Sequence, residues 1–350
     1  MRQKGMKKFV LRTLVALLPV FAFVALYLCL DPFRVVYRYD GVSVQPGDTL
    51  ERIPNKRFVA LEGFKHYNPT EHFDSFIFGS SLSSNYTAAA WKKYLPDSAS
   101  VYHFTVGAQT LTGIRDELQY LINHGVKVRH ALLVMEEEMY RRPKRYEEMP
   151  FLPHPEVSPE MSWLHFHRVH FNALRDPDML LYNLWPTEEV ANRLLADAKI
   201  NKTPCARNEV MNEDYSTALD TMVINHPDEF FADVPWLVNM IPNPDPQPLS
   251  IGPEAEALLR DIRRLLDENH VDYIVIVPPR YRVMGLSGID HVVLCEIMGK
   301  DHVFDYSCDN ELMNDLQSYY DGMHMLTHRC TELIDRAYHN SPIGLKQDGV

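Results

Sequence analysis

Two short stretches carry the residue types of acyl-transfer chemistry. One is Phe76-Ile77-Phe78-Gly79-Ser80-Ser81-Leu82-Ser83, an apolar strand running into a Gly-Ser-Ser turn. The other, near the far end of the chain, is Tyr320-Asp321-Gly322-Met323-His324-Met325, with a carboxylate three residues before an imidazole. A serine hydroxyl is a weak nucleophile until a base takes its proton, and histidine is the side chain suited to that near neutral pH. Asp321 can hold one ring nitrogen of His324, fix the tautomer and stabilise the imidazolium, leaving the other nitrogen for a serine. Each stretch also has a plainer meaning. Serines cap helices, so either Ser80 or Ser81 can cap while the other reacts, and Asp and His are common in polar loops. What decides between the meanings is whether the fold brings the two together.

The intervening pattern says how it could. Short apolar runs at Phe76–Phe78, Val101–Val106, Ala131–Met135, Tyr273–Val277 and Val303–Asp305 read as strands. Between them lie helical spacings: Ile114, Leu118, Leu121 and Ile122 closing at Gly125, then a helix opening at Pro253 with Leu258, Ile262, Leu265 and Leu266 on one face. Leu326–Tyr338 reads as a closing helix, with Leu333, Ile334 and Ala337 facing inward. Continuous apolar strands alternating with amphipathic helices imply a parallel sheet covered on both faces, a doubly wound, flavodoxin-like α/β domain. Ligands of such sheets sit beyond the carboxyl ends of the strands, where Ser81, Gly107 and the Asp321/His324 segment all fall. Residues 141–250, rich in proline and carrying Trp163, Trp185 and Trp236, break the alternation. They read as a partly helical insertion, with a helix over Thr187–Ala198, forming one wall of the site.

The amino terminus is an anchor signal. Arg2, Lys4, Lys7, Lys8 and Arg12 precede an uncharged run over residues 13–30, and 18 residues just span hydrocarbon. Positive charge on the leading flank keeps that end in the cytoplasm, which sends everything after Asp31 outside. Leu28-Cys29-Leu30-Asp31 offers no small-x-small cleavage site, so the reading is an uncleaved single-pass anchor over residues 1–31 in an inner or cytoplasmic membrane. A juxtamembrane stretch over 32–72, the α/β domain over 73–340 and a tail over 341–350 complete the layout. The net charge of −12, with no basic stripe, excludes a nucleic-acid binder. Cys205, Cys295, Cys308 and Cys330 lie in the exported part, where thiols can pair with a connectivity that spacing leaves open.

These motifs, in this order, resemble the SGNH/GDSL hydrolase superfamily over roughly residues 74–140 and 253–338. The family's first block is a strand followed by Gly-Asp-Ser-Leu/Ile, here Gly79-Ser80-Ser81-Leu82, so the resemblance implies Ser81 as nucleophile with Ser80 in place of the family's Asp. Gly-Ser-Ser variants are similar to its membrane-anchored branch, which includes D-alanine transfer and alginate O-acetylation proteins. The second block implies Gly107 as an oxyanion-hole glycine beside the N–H of Ser81. The last block, Asp-x-x-His, matches Asp321 and His324. The third departs: the family's Gly-x-Asn supplies an amide donor, and here the place reads Val134-Met135-Glu136-Glu137-Glu138-Met139. A missing oxyanion donor costs about 10²–10³ in rate, and a facing carboxylate is worse.

The expectation is a membrane-anchored extracytoplasmic serine esterase or O-acyltransferase. It would act on a cell-surface polysaccharide with an acyl-ester donor and a glycan acceptor, beside a polytopic membrane acyltransferase and without metal or organic cofactor. The rival is an inactive scaffold of the same fold. Arg280 and Tyr281, after the strand ending at Val277, are rim candidates for an anionic glycan, with Ser80 as a further substrate contact. The histidines at 165, 167 and 170 read as an amphipathic segment rather than a metal site, and Glu136–Glu138 as a solvated strand end. The sequons at Asn85 and Asn201 read as chance matches.

Overall fold

The computed structural model describes residues 2–37, 55–184, 206–215, 217–243 and 249–340. The expected helix over Thr187–Ala198, Cys205, the Asn201 sequon and the tail over 341–350 lie outside them.

Five strands form a parallel sheet: β1 (Ser75–Gly79), β2 (Val101–Thr105), β3 (His130–Val134), β6 (Asp272–Val277) and β7 (Val303–Asp305). A separate antiparallel hairpin, β4 (Ala206–Asn208) with β5 (Glu213–Tyr215), lies in the insertion. The sheet order is β2-β1-β3-β6-β7, so the winding reverses between β1 and β3. That is one of the two common doubly wound orders, and its ligand crevice opens at the carboxyl ends of the two strands flanking the reversal.

Alternate side chains of each strand feed two cores, one per face. Phe76 and Phe78 join Tyr102, Phe104, Leu133 and Val275 under helices Lys56–Glu71, Leu111–Asn123, Pro253–Glu268 and Gly288–Met298. Ile77 joins Leu132, Val134, Ile274 and Ile276 against Trp91, the insertion helices over Thr217–Val238 and the closing helix Thr327–Asn340. Both faces being covered is why the strands read as continuous apolar runs.

Helix Lys56–Glu71 departs from the expected juxtamembrane stretch. It packs on β2, where the Tyr102 hydroxyl donates to the Ala60 carbonyl at 2.6 Å, and its cap Asn55 accepts the N–H groups of Arg57 and Phe58. Its first half is buried from Arg57 through Phe64 except at half-buried Glu62, so no apolar stripe marks it in the sequence.

Within helix Arg2–Leu30, Met6–Leu30 is long and apolar enough to cross a membrane. Its far end is built into the domain. Tyr27, Phe33, Val35 and Phe58 share a third apolar cluster with Leu152, Phe166 and Leu174. Asp31 is buried, its carboxylate accepting the N–H groups of Val35, Val36 and Tyr37 at 2.8–3.0 Å.

Candidate active site

The Ser80-Ser81 turn grows from the tip of β1. Gly79 must be glycine: a Cβ there would lie 2.5 Å from Ser83 Cβ and 3.1 Å from the Val134 carbonyl. Ser80 caps the short turn Ser81–Ser83, its Oγ accepting the Leu82 N–H at 3.2 Å. It is buried and also hydrogen-bonds Glu136, so it supports the turn rather than offering the substrate contact expected of it. Ser81, the first residue of the turn, is exposed, and the leading N–H groups of a helical turn have no partner within it. Ser83 Oγ donates to the Ser80 carbonyl at 2.8 Å and meets His103 Nε2 at 3.2 Å, which assigns the ring proton to Nε2. Burial lowers the His103 pKa to about 3, only partly offset by Asp214, so this imidazole is a neutral strut beneath the turn.

The Asp321–His324 loop arrives from the other end of the chain. His324 Nε2 lies 2.8 Å from Ser81 Oγ, and His324 Nδ1 lies 2.7 Å from Asp321 Oδ2. Asp321 Oδ1 accepts the N–H groups of Met323 and His324, each at 2.7 Å. Burial pushes the Asp321 pKa up, but hydrogen bonds from the His324 ring and these two N–H groups outweigh it, so the carboxyl titrates below its ordinary value. Tyr320 stacks on the His324 ring, centroids 5.5 Å apart. Asn85 ties the two halves together: its amide donates to the Met325 carbonyl at 2.6 Å. Asn85 is buried, so the sequon there serves packing.

Gly107 lies in the loop that follows β2. The Val106 N–H reaches the Gly79 carbonyl at 3.4 Å, so the loops after β1 and β2 emerge side by side. The Gly107 loop is clamped from below. Ala108 adopts φ +49°, a left-handed conformation disfavoured for alanine, and its carbonyl accepts from Arg57 Nη2 at 2.7 Å. Arg57 Nη1 donates to Gln109 Oε1 at 2.7 Å, and Gln109 Nε2 donates to both Glu117 oxygens at 2.9 and 3.1 Å. Arg57, Gln109 and Glu117 are all buried. Burial raises the Glu117 pKa to about 7 against the pull of Arg57 and Gln109.

The acidic run after β3 divides. Glu137 is buried and turned away, accepting from Arg280 Nη2 at 2.6 Å, from Ser250 Oγ at 3.1 Å and from Arg141. Glu138 pairs with Arg142. Glu136 stays near the site, with Ser80 bonded to it and His324 and Arg280 close enough to stabilise its charge. Burial outweighs them and raises its pKa above the ordinary value. The run is therefore not simply a solvated strand end.

The structure separates the two rim candidates. Arg280 is held by Glu137. Tyr281 is 1 % exposed in the core, its ring 5.7 Å from Tyr319, so it cannot touch substrate. The insertion does border the base loop: Asp220 accepts the Thr327 N–H, and a Cβ on Gly322 would sit 3.6 Å from Met240 Sδ.

The histidines of the insertion go to separate tasks. His167 Nδ1 meets the Tyr27 hydroxyl at 3.0 Å, His170 sits within 3.3 Å of the Asn55 amide, and His165 lies near Glu147. Another group, Glu62, His154 and Glu156, gathers within 4.8 Å, but the Lys65 ammonium already bonds both carboxylates at 2.8–3.0 Å. Cys295, Cys308 and Cys330 are free thiols.

Arg57, His103, Gln109 and Glu117 carried no motif. One signal existed: Glu117 falls between Ile114, Leu118 and Leu121 on the apolar stripe of its helix, where an acid needs a buried partner.

No protein-family model matches the chain, and no curated protein matches it.

Proposed function

We propose that this chain is a membrane-anchored, extracytoplasmic serine esterase or O-acyltransferase of SGNH type. Its substrate would be a cell-surface polysaccharide or similar glycan, with a polytopic membrane acyltransferase as partner. The observation that carries the reading is the continuous relay Ser81–His324–Asp321 at the reversal point of the sheet, with contacts of 2.8 and 2.7 Å. Ser81 gives its proton to His324 Nε2 as Oγ attacks the acyl carbonyl. Asp321, kept ionised, stabilises the imidazolium. The N–H groups of Ser81 and Gly107 receive the oxyanion. His324 then returns the proton to the departing alcohol, leaving an acyl-Ser81 ester. Water or a sugar hydroxyl, deprotonated by the same His324, takes the acyl group in the second half. The anchor places this chemistry outside the cytoplasm, with the positively charged flank inside.

The test is a serine-directed fluorophosphonate on the full chain in detergent. Labelling that disappears in Ser81→Ala and in His324→Ala is expected. Equal labelling of the Ser81→Ala protein, or none of the folded parent, defeats the enzyme reading.

A second reading, a non-catalytic scaffold for a polysaccharide-modifying complex, draws on one observation: Glu136 stands where an amide donor is expected. The same experiment separates the two.

A further inference from the structure

Two side chains from other segments bear on the Gly107 loop. Arg57 Nη2 donates to the Ala108 carbonyl at 2.7 Å, and the Phe151 ring lies 3.2 Å from a Cβ built on Gly107. One fully buried residue, Asn55, stands behind both. Its Oδ1 accepts the N–H groups of Arg57 and Phe58, each at 3.1 Å, and so fixes the first turn from which the guanidinium reaches. Its Nδ2 donates to the carbonyl of Leu152, the residue after Phe151, at 3.0 Å. Backbone N–H groups only donate and carbonyls only accept, so these partners assign both ends of the amide.

The same nitrogen lies 3.3 Å from His170 Nε2. His170 Nδ1 meets the Phe166 carbonyl at 2.8 Å, which puts the ring proton on Nδ1 and leaves Nε2 to accept. Burial lowers the His170 pKa to about 4, so the ring is a neutral acceptor near neutral pH. The Asn55 backbone N–H donates to the Phe33 carbonyl at 3.2 Å, and the Phe33 ring lies against His170, centroids 5.4 Å apart. Phe33 belongs to the turn that follows helix Arg2–Leu30, which Asp31 fastens by accepting the Val35 and Val36 N–H groups at 2.8 and 3.0 Å. Asn55 therefore joins that turn, helix Lys56–Glu71, the Leu152 segment and helix Trp163–Ala173.

Capping alone does not explain this residue. Serine, threonine, aspartate and asparagine all cap well, but only asparagine among them also brings two N–H donors. Both are used here, on Leu152 and on His170. The loop they support needs the help. Ala108 at φ +49° holds a strained conformation only while its surroundings impose it. A support displaced by about 1 Å can cost about 10²-fold in rate.

We propose that Asn55 is a positioning residue for the oxyanion loop, acting through Arg57 on one side and Phe151 on the other, and that the turn over residues 31–35 is part of the same support. The inference rests on the esterase reading. It makes the end of the anchor helix a working part of the catalytic centre.

The test is stopped-flow acylation of the full chain in detergent by p-nitrophenyl acetate. Asn55→Ser and Asn55→Asp both keep the capping oxygen and lose the amide donors. Each should cut the burst rate at saturating ester about 10²-fold, with the half-saturating concentration unchanged within about twofold. Val303→Ala is the control: it opens the core at β7, at the far edge of the sheet from β2. It should lower the thermal midpoint and keep the parent burst rate. Asp31→Ala should slow the burst as well, and the Asp31→Ala, Asn55→Ser double variant should be no slower than Asn55→Ser alone. Folded Asn55 variants with the parent burst rate overturn the proposal. So does a Val303→Ala protein slowed as much as they are, since the effect would then be general fragility. Losses that multiply in the double variant remove the turn from the support. A parent with no burst removes the esterase reading itself, and this inference with it.

Discussion

The two loops that make the site are held by opposite means. The base loop supports itself: Asp321 bonds the ring of His324 and two N–H groups within three residues, and the loop remains half-exposed. The Gly107 loop leans mainly on distant partners, its one local bond being the Thr110 N–H to Gln109 Oε1. It depends on the buried Arg57 guanidinium from helix Lys56–Glu71 and, through its own buried Gln109 amide, on the buried Glu117 carboxyl of helix Leu111–Asn123. The first arrangement separates catalysis from stability, because its charges stay near water. The second joins them, because removing one partner strands a charge in the core.

That contrast orders what substitutions should do. Asp321→Asn should lower turnover of a model ester about 10⁴-fold while leaving the thermal midpoint nearly unchanged, since the wrong tautomer is a kinetic fault. A large fall in midpoint would mean that the base loop is structural too. Arg57→Ala should do the reverse. It should cost about 1–3 kcal/mol for each of the two buried acceptors it leaves without a donor, the Ala108 carbonyl and Gln109 Oε1, with loss of activity following loss of fold. Thermal unfolding across pH sharpens the same point. Unfolded, Glu117 releases its proton near 4.5; folded, it keeps it to about 7. The folded state therefore binds more protons between those values. Stability should fall by about 3 kcal/mol as pH rises from 4.5 to 7 and level off above. Glu117→Gln should flatten that slope, and an unchanged slope would show that Glu117 is not its source. The smallest effect belongs to Glu136→Gln. It puts an amide beside the site in place of a carboxyl that gains charge as pH rises. Turnover should increase about tenfold, most at alkaline pH, and a decrease would mean that Glu136 itself assists the reaction.

How much the sequence disclosed follows the same division. Strands buried on both faces announce themselves as apolar runs, and the last of them, Val303–Asp305, matches its expected bounds. The helix expected from Pro253 begins there. Ser81, Asp321 and His324 were readable because their partners are close in sequence or belong to a distinctive turn. The Gly107 clamp was not readable. Arg57 sits 51 residues from the carbonyl it binds, and nothing local marks the pair. Helix Lys56–Glu71 carries no readable stripe because burial on nearly every side of its first half erases the periodicity. Tyr281 was misplaced for a related reason: a loop tyrosine after a strand looks like a rim residue until the fold packs it against Tyr319. Glu137 reads as a solvated charge and Arg280 as a rim contact for an anionic glycan, and the fold pairs them at 2.6 Å.

The central claim is that Ser81 is acylated through His324. The direct measurement is rapid quenching of the full chain with p-nitrophenyl acetate, followed by peptide mapping for the acetyl group. The account requires one acetyl ester per chain, on Ser81 and not on Ser80 or Ser83, forming in a burst that His324→Ala abolishes. An acetyl group on another residue, or a burst that survives His324→Ala, would contradict it.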